Sequence, residues 1–385
     1  MVGGVHWITQ AALGAIIGEM MMGRKLGKLA LVWGALFGLV PELFELLVSP
    51  FLDTARELAC GRGLGHSLII TGLGAWWAAR GLEKVWKREK VSRSEAAFFV
   101  LAVWWAHVLV DGFTVEGVSF LWPVPGGRVA FGILHRTDFW FSGPLVVTAV
   151  WLACLPMEKP GKKRGRKTAP APASKRRKLL AWGLGLSAGY ALLAAGMQWR
   201  ASAGFEADLA RRGTKWVRRM ESPTPFNIFL WRSVLDRGDE FQVGYRSVFE
   251  PADHPVRWTI YQKSTEAMAG VAELREMKTL AAATQGWWIA RPHAKGAWIG
   301  DLRLPEARTW GSKKGMVDSR LASSWVVDAT TKEDRLRRIT PSAGTGGDYL
   351  ERLLGRIFNN RDNWEANPRL AGVAGSLPEF LPVVE

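Results

Sequence analysis

At 385 residues the chain has room for two or three folding units, and 48% of it is apolar. The mean hydropathy of +0.01 averages two unlike stretches, because long apolar runs crowd 8–155 and 179–199 while 200–385 reads as ordinary soluble protein; one soluble domain is therefore excluded. The formal charge of +16 does not by itself signal a nucleic-acid partner, since residues 158–178 alone hold ten Lys and Arg against one Glu, a pattern that anchors a cytoplasmic loop beside an apolar segment near anionic lipid.

Six apolar segments approach the roughly 20 residues of a spanning helix: 7–22, 27–49, 66–82, 94–111, 143–157 and 179–199. The N-terminus has no basic region and no small-residue cleavage site, so the first segment is expected to stay. Twenty-one Trp against four Tyr suits a bilayer, where the indole ring settles at headgroup level. Glycines four apart (Gly14/Gly18, Gly34/Gly38, Gly185/Gly189) would let helix backbones approach closely. The basic loops carry Arg24, Lys25 and Lys28, then Arg80, Lys84, Lys87, Arg88, Lys90 and Arg93, then the 158–178 linker, and all three are expected to be cytoplasmic. Alternation then places 1–6, 50–65, 112–142 and everything after about 200 on the outer side. Cys60 and Cys154 fall at opposite faces and do not pair.

Beyond 200, strand-like alternation runs over 228–235, 241–249, 256–263, 286–291, 297–304 and 324–328, and helical spacing over 206–219, 265–282 and 349–358. Trp287 and Trp288, adjacent in a strand, must face opposite ways. The expected architecture is an α-helical polytopic membrane bundle of about six helices followed by a small α+β soluble domain. Its parts are a membrane-embedded helical domain at 1–157, a basic cytoplasmic linker at 158–178, a transmembrane helix at 179–199 and an extracytoplasmic α+β domain at 200–385.

Ionisable side chains inside apolar segments cost about 2.5–3.5 kcal/mol each at helix centre and are functional candidates by default. Glu42 and Glu45 lie three apart just after Pro41, and His107 and Asp111 lie four apart, so each pair shares a helix face. His6, Glu42, Glu45, His66, His107, Asp111 and Asp138 all fall at the outer ends of their segments. Imidazole plus carboxylate is the ligand set of zinc, and also suits manganese, for activating water.

The run ITQAALGAIIGEMMMGRKLGKLALVWGALFGLVPEL, then GRGLGHSL, then HVLVDGFTVEGVSFLWP and TDFWFSGPL, resembles the bacterial inner-membrane metal-dependent hydrolases of the YdjM type over about residues 6–157. The resemblance implies a multi-spanning membrane protein with a metal-dependent hydrolase site. The family's H-R-G-x-(S/T)-H-S pattern falls on 61–67, keeping Arg62, Gly63, His66 and Ser67 but with Gly61 in place of the first His. Its Pro-Asp-Leu-Asp pattern falls on 41–44, keeping Pro41, Leu43 and, as Glu42, the first carboxylate, with Phe44 in place of the second, for which Glu45 is the nearest substitute. An N-terminal Asp of the family corresponds to His6. The His-x-x-x-Asp pair is intact as His107 and Asp111, as are Thr114, Gly117, Trp122, Pro123 and Asp138.

Two functions follow. In the first, Glu42, His66, His107 and Asp111 hold a divalent metal, Glu45 or Asp138 acts as the catalytic base or a positioning partner, and Arg62 binds the anionic part of a lipid-like ester or phosphoester at the outer face of the inner membrane. In the second, the altered ligand motifs mark a catalytically degenerate relative, whose Trp-rich periplasmic domain binds a partner or an envelope component. Membrane lipids are the expected surroundings in both, and nucleic acid in neither.

Overall fold

The computed structural model describes residues 4–124, 126–157, 175–306, 321–339, 349–361, 364 and 379–380. Residues 158–174 of the expected basic linker lie outside this set, and 175–178 open a long helix.

Every one of the six apolar segments is helical. They form α1 (Gly4–Leu26), α2 (Leu29–Val48), α4 (Leu68–Val85), α5 (Arg93–Gly112), α6 (Phe139–Cys154) and α7 (Lys175–Arg211), and a short α3 (Thr54–Cys60) intervenes after α2. By length and composition, α2 with the turn that follows it, α5 and α7 are long and apolar enough to cross a membrane, and α6 is a shorter apolar helix of 16 residues. At the bundle centre, α5 buries Phe99, Val100, Val103 and Val108 completely or nearly so. The periphery is apolar as well, with Leu36, Leu47, Trp77, Phe98, Val150 and Leu192 exposed, the all-round hydrophobicity of helices that meet lipid.

Contact between α1 and α2 is the closest in the bundle. The chain reverses through Gly27 at φ 60°, a left-handed conformation that glycine takes without strain. Beyond that turn Gly14, Gly18, Gly34 and Gly38 interleave so tightly that a methyl on Gly34 would fall on the carbonyl oxygen of Gly14, and one on Gly38 on that of Gln10. The third glycine pair behaves differently: a methyl at Gly185 or Gly189 would meet nothing within 4 Å, and α7 packs through Gly183 against Thr148 instead. Pro41 interrupts α2 and has no N–H for the carbonyl of Phe37. Trp104 of α5 takes up that carbonyl through Nε1 at 2.9 Å.

The bundle has two chemically distinct ends. At one end, Lys25 bonds Glu95 and the Lys90 carbonyl, Lys28 bonds the Ala153 carbonyl, and buried Arg176 pairs with Glu19 at 2.7 Å. At the other lie the loops 49–67 and 113–138 and the C-terminal domain. Cys60 ends α3 at this second end and Cys154 ends α6 at the first, both as free thiols.

The C-terminal domain holds two antiparallel sheets. One has the order β1 (Arg218–Pro223), β2 (Leu230–Asp236), β3 (Glu240–Ser247), β4 (Trp258–Gln262), β9 (Glu379–Phe380); the other runs β5 (Trp288–His293), β6 (Gly296–Asp301), β7 (Ser324–Asp328), β8 (Leu336–Ile339). Helices α8 (Arg275–Ala283) and α9 (Tyr349–Ile357) complete it. Strands β2 and β3 are buried along their whole length because both faces are covered. On one face Ala201, Phe205 and Leu209 of α7 pack with Trp231, Leu235 and Trp258; on the other Val234, Phe241 and Val243 meet Ile289, Trp298 and Val326 of the second sheet. Here the structure corrects two expectations. Helix α7 does not stop near 199 but continues to Arg211, and the helix expected over 206–219 ends there, its last two residues, Arg218 and Arg219, opening strand β1. Charged as it is, RRMESP pairs in register with β2 from Arg218↔Asp236 to Pro223↔Trp231.

The domain docks on the second end of the bundle. Ala55 of α3 packs with Val271 and Leu280, Gln285 donates to the Arg128 carbonyl at 2.6 Å, and Arg303 to that of Glu116 at 3.5 Å. A cavity of about 370 Å³ opens at this junction, lined among others by Arg128, Phe131, Gln198, Arg219, Gln285 and Trp287. Trp287 is the buried member of the adjacent tryptophan pair; Trp288 is half-buried on the opposite side.

Candidate metal centre

Glu42 comes from α2 one residue after Pro41, His66 from the turn before α4, and His107 and Asp111 from successive turns at the end of α5. One ligand atom from each lies within 4.8 Å of the others. None of the four is more than 8% exposed. His66 and His107 bring their Nε2 atoms to 3.2 Å; Glu42 Oε2 lies 3.1 Å from His107 Nε2, and Asp111 Oδ2 3.0 Å from His66 Nε2.

The surroundings decide which nitrogens are free. His107 Nδ1 is 2.8 Å from the Gly38 carbonyl, which only accepts, so the ring proton is on Nδ1 and the Nε2 lone pair points inward. The glycine at 38 leaves that carbonyl open to approach. His66 Nδ1 faces Glu45 Oε1 at 3.1 Å, which turns its Nε2 inward. Two imidazole nitrogens and two carboxylates thus converge in a buried site. Glu42 Oε1 and Oε2 and Asp111 Oδ2 have no hydrogen-bond partner. Left alone, such a set is unfavourable in low dielectric. A divalent cation matches its charge and donor type, so the residues fit a metal.

Arg62 stands beside this group. Its backbone is at φ 54°, a left-handed conformation costly for a side-chain-bearing residue, and Glu45 Oε1 accepts its N–H at 2.8 Å. Its guanidinium donates to Thr114 Oγ1 at 3.1 Å and pairs with Glu116 at 3.2 Å, and Arg136 pairs with Glu116 from the other side at 3.0 Å. Burial would push the Glu116 carboxyl up, but the charges of Arg136, Arg62 and Arg303 outweigh it and hold it at about 2. Because the folded carboxyl ionises below the ordinary 4.5, its stabilisation is complete above pH 4.5 and is lost as pH falls toward 2. Melting temperature of the detergent-solubilised protein is expected to drop across that window, and Glu116→Gln to flatten the drop while lowering stability at neutral pH.

Of the residues expected at the site, the structure gathers Glu42, His66, His107 and Asp111 directly, with Glu45 behind His66 and Arg62 alongside. Asp138 does something else: it caps α6, accepting from the N–H groups of Trp140 and Phe141, and its other oxygen accepts from Tyr190 at 2.9 Å. His135 bonds Thr137 at 2.8 Å, and burial holds its imidazole down at about 4. Sequence reasoning missed Gln10, whose Nε2 donates to Asp111 Oδ1 at 2.8 Å, and the trio Glu116, Arg136 and Arg303. Gln10 follows His6 by one helical turn, the only signal that would have found it.

Fold and site together define a helical bundle of membrane-type composition, closed at one end over a buried imidazole–carboxylate group able to hold a metal, with an α+β domain seated on that end. The family model of the YdjM inner membrane protein matches residues 5–202, half of the chain, and the chain belongs to that family. Neither a curated protein nor a solved structure matches it.

Proposed function

We propose that the chain is a multi-pass inner-membrane hydrolase that binds a divalent metal through Glu42, His66, His107 and Asp111 and cleaves an ester or phosphoester of a lipid-like substrate. The observation that carries this reading is the convergence of two imidazole Nε2 atoms and two carboxylates in a buried site. Zinc suits two imidazoles and two carboxylates best, with manganese the alternative.

A divalent ion on this donor set supplies Lewis acidity and water of lowered pKa. The protein's own part is positional. The Gly38 carbonyl orients His107, Glu45 orients His66, and Gln10 orients Asp111. We assign Glu45 to this positioning role, since its Oε1 faces His66 and accepts from Arg62, and Asp138 to capping α6, since both its oxygens already accept hydrogen bonds. Arg62, held by Thr114 and Glu116, fixes a positive charge beside the centre and favours an anionic, phosphate-bearing substrate.

Orientation follows from the two ends. The lysine- and arginine-rich end is assigned to the cytoplasm, which puts the metal centre and the domain after 211 in the periplasm, where an outer-leaflet headgroup reaches the site. The degenerate-relative reading draws on one observation, the junction cavity lined by Arg128, Gln198 and Trp287, which has the size of a small-ligand site.

Metal analysis of detergent-purified protein, followed by hydrolysis of p-nitrophenyl phosphodiester and acyl ester before and after chelation, tests the proposal. Bound zinc or manganese is expected, with phosphodiester cleavage that chelation abolishes and re-addition restores. Metal-free protein whose hydrolysis ignores chelators would refute the enzyme reading.

A further inference from the structure

We infer that the centre accommodates two divalent ions, the second held by His6 Nε2, Glu42 Oε1 and Asp111 Oδ1. The inference rests on the metal-centre reading above and concerns what that reading leaves unused.

The two buried carboxylates divide their oxygens. Asp111 turns Oδ2 to His66 Nε2 at 3.0 Å and Oδ1 to His6 Nε2 at 2.9 Å. Glu42 turns Oε2 to His107 Nε2 at 3.1 Å and Oε1 to His6 Nε2 at 3.3 Å. Each carboxylate therefore lies between the His66–His107 pair on one side and His6 on the other. Two carboxylates shared between separate imidazole sets form the donor arrangement of two-metal hydrolytic sites, whose ions sit about 3.5–4 Å apart.

His6 has no other evident employment. It lies in the first turn of α1 and is only 4% exposed, and neither its Nε2 nor Glu42 Oε1 makes a hydrogen bond. A protonated imidazole serving only to neutralise the carboxylates would align its N–H with one oxygen; here the nitrogen faces two, with hydrogen-bond geometry to neither. Gln10 is one turn further along the same helix. Its Nε2 is committed to Asp111 Oδ1, and its buried Oε1 has no partner. Helix α1 thus presents an unpartnered imidazole nitrogen and, a turn away, an unpartnered amide oxygen, next to the two oxygens that the first ion does not use.

A pair of ions narrows the substrate class. Two-metal sites clamp both the attacking and the leaving oxygen of an in-line displacement at phosphorus, so a phosphoester fits this centre better than a carboxylic ester, in keeping with the guanidinium of Arg62 alongside.

The test loads purified full-length protein with Mn²⁺, removes free ion and counts bound metal per chain in the native protein and in His6→Ala and the closer-sized His6→Gln. The expected counts are two, one and one, and the native protein alone is expected to give the multiline electron paramagnetic resonance spectrum of an exchange-coupled manganese pair, with six-line spectra from the variants. One ion in all three proteins would overturn the second site and leave the first intact. Two ions in the variants would overturn the role of His6. No ion in the native protein would remove both readings.

Discussion

His107→Ala is expected to strip the metal from the centre. It deletes one of the two inward imidazole nitrogens and leaves the Gly38 carbonyl without its imidazole partner. Affinity should fall by more than the roughly 10–100-fold typical of losing a residue that only orients a ligand, leaving little ion bound after gel filtration and no metal-dependent turnover. Glu45→Gln is the matched comparison. It keeps every donor of the four-residue group and removes only the carboxylate facing His66 Nδ1 at 3.1 Å, so weakening should stay within about 10–100-fold and excess zinc should restore activity. Equal losses in the two variants would contradict the division between ligand and positioning residue; full metal retention in His107→Ala would defeat the site.

Gly34→Ala should be the most damaging methyl group that can be added to the bundle. The new carbon would lie 2.1 Å from the Gly14 carbonyl oxygen, well inside contact distance. Backbone cannot step aside as a flexible side chain does, so the cost should reach the upper end of the roughly 1–3 kcal/mol seen for overpacking, or exceed it. Thermal melting in detergent reads the loss. Metal content should fall with it, since Gln10 is carried by α1 and Glu42 by α2. Gly189→Ala is the control: its methyl meets nothing within 4 Å, and removing a helical glycine is worth roughly 0.5–1 kcal/mol in favour of the fold. A Gly34→Ala protein that melts like the native one would mean that α1 and α2 are not held at glycine contact.

The convergence of Glu42, His66, His107 and Asp111 was legible because two independent patterns agree. Three- and four-residue spacing puts each pair on one face, and loop charge puts every such face at the same end. Asp138 satisfied the second pattern without belonging to the group, because a carboxylate just before a helix equally suits an N-cap, and sequence position does not tell the two apart. Gln10 escaped because an uncharged amide is not conspicuous in an apolar run. The role of Glu116 depends on Arg62 and Arg136, which come from separate loops of the bundle, and on Arg303, which only docking of the C-terminal domain brings close. Apolar length revealed the six long helices, whereas α3 has just seven residues, capped by Asp53. Strand β1 was hidden by its charge: Arg218 and Arg219 find partners in Asp236, Glu206 and Glu221 that no local pattern announces.

The unbroken course of α7 bears on how this protein can be taken apart. The family match ends at 202, inside the helix and before its last three turns, whose Phe205 and Leu209 are buried on Trp231 and Trp258. Severing the chain there would cut α7 in mid-course, leaving its last turns on the C-terminal half without the helix that continues into the bundle. The two halves behave as one beam and its bracket rather than beads on a string, so neither is a natural unit for separate expression.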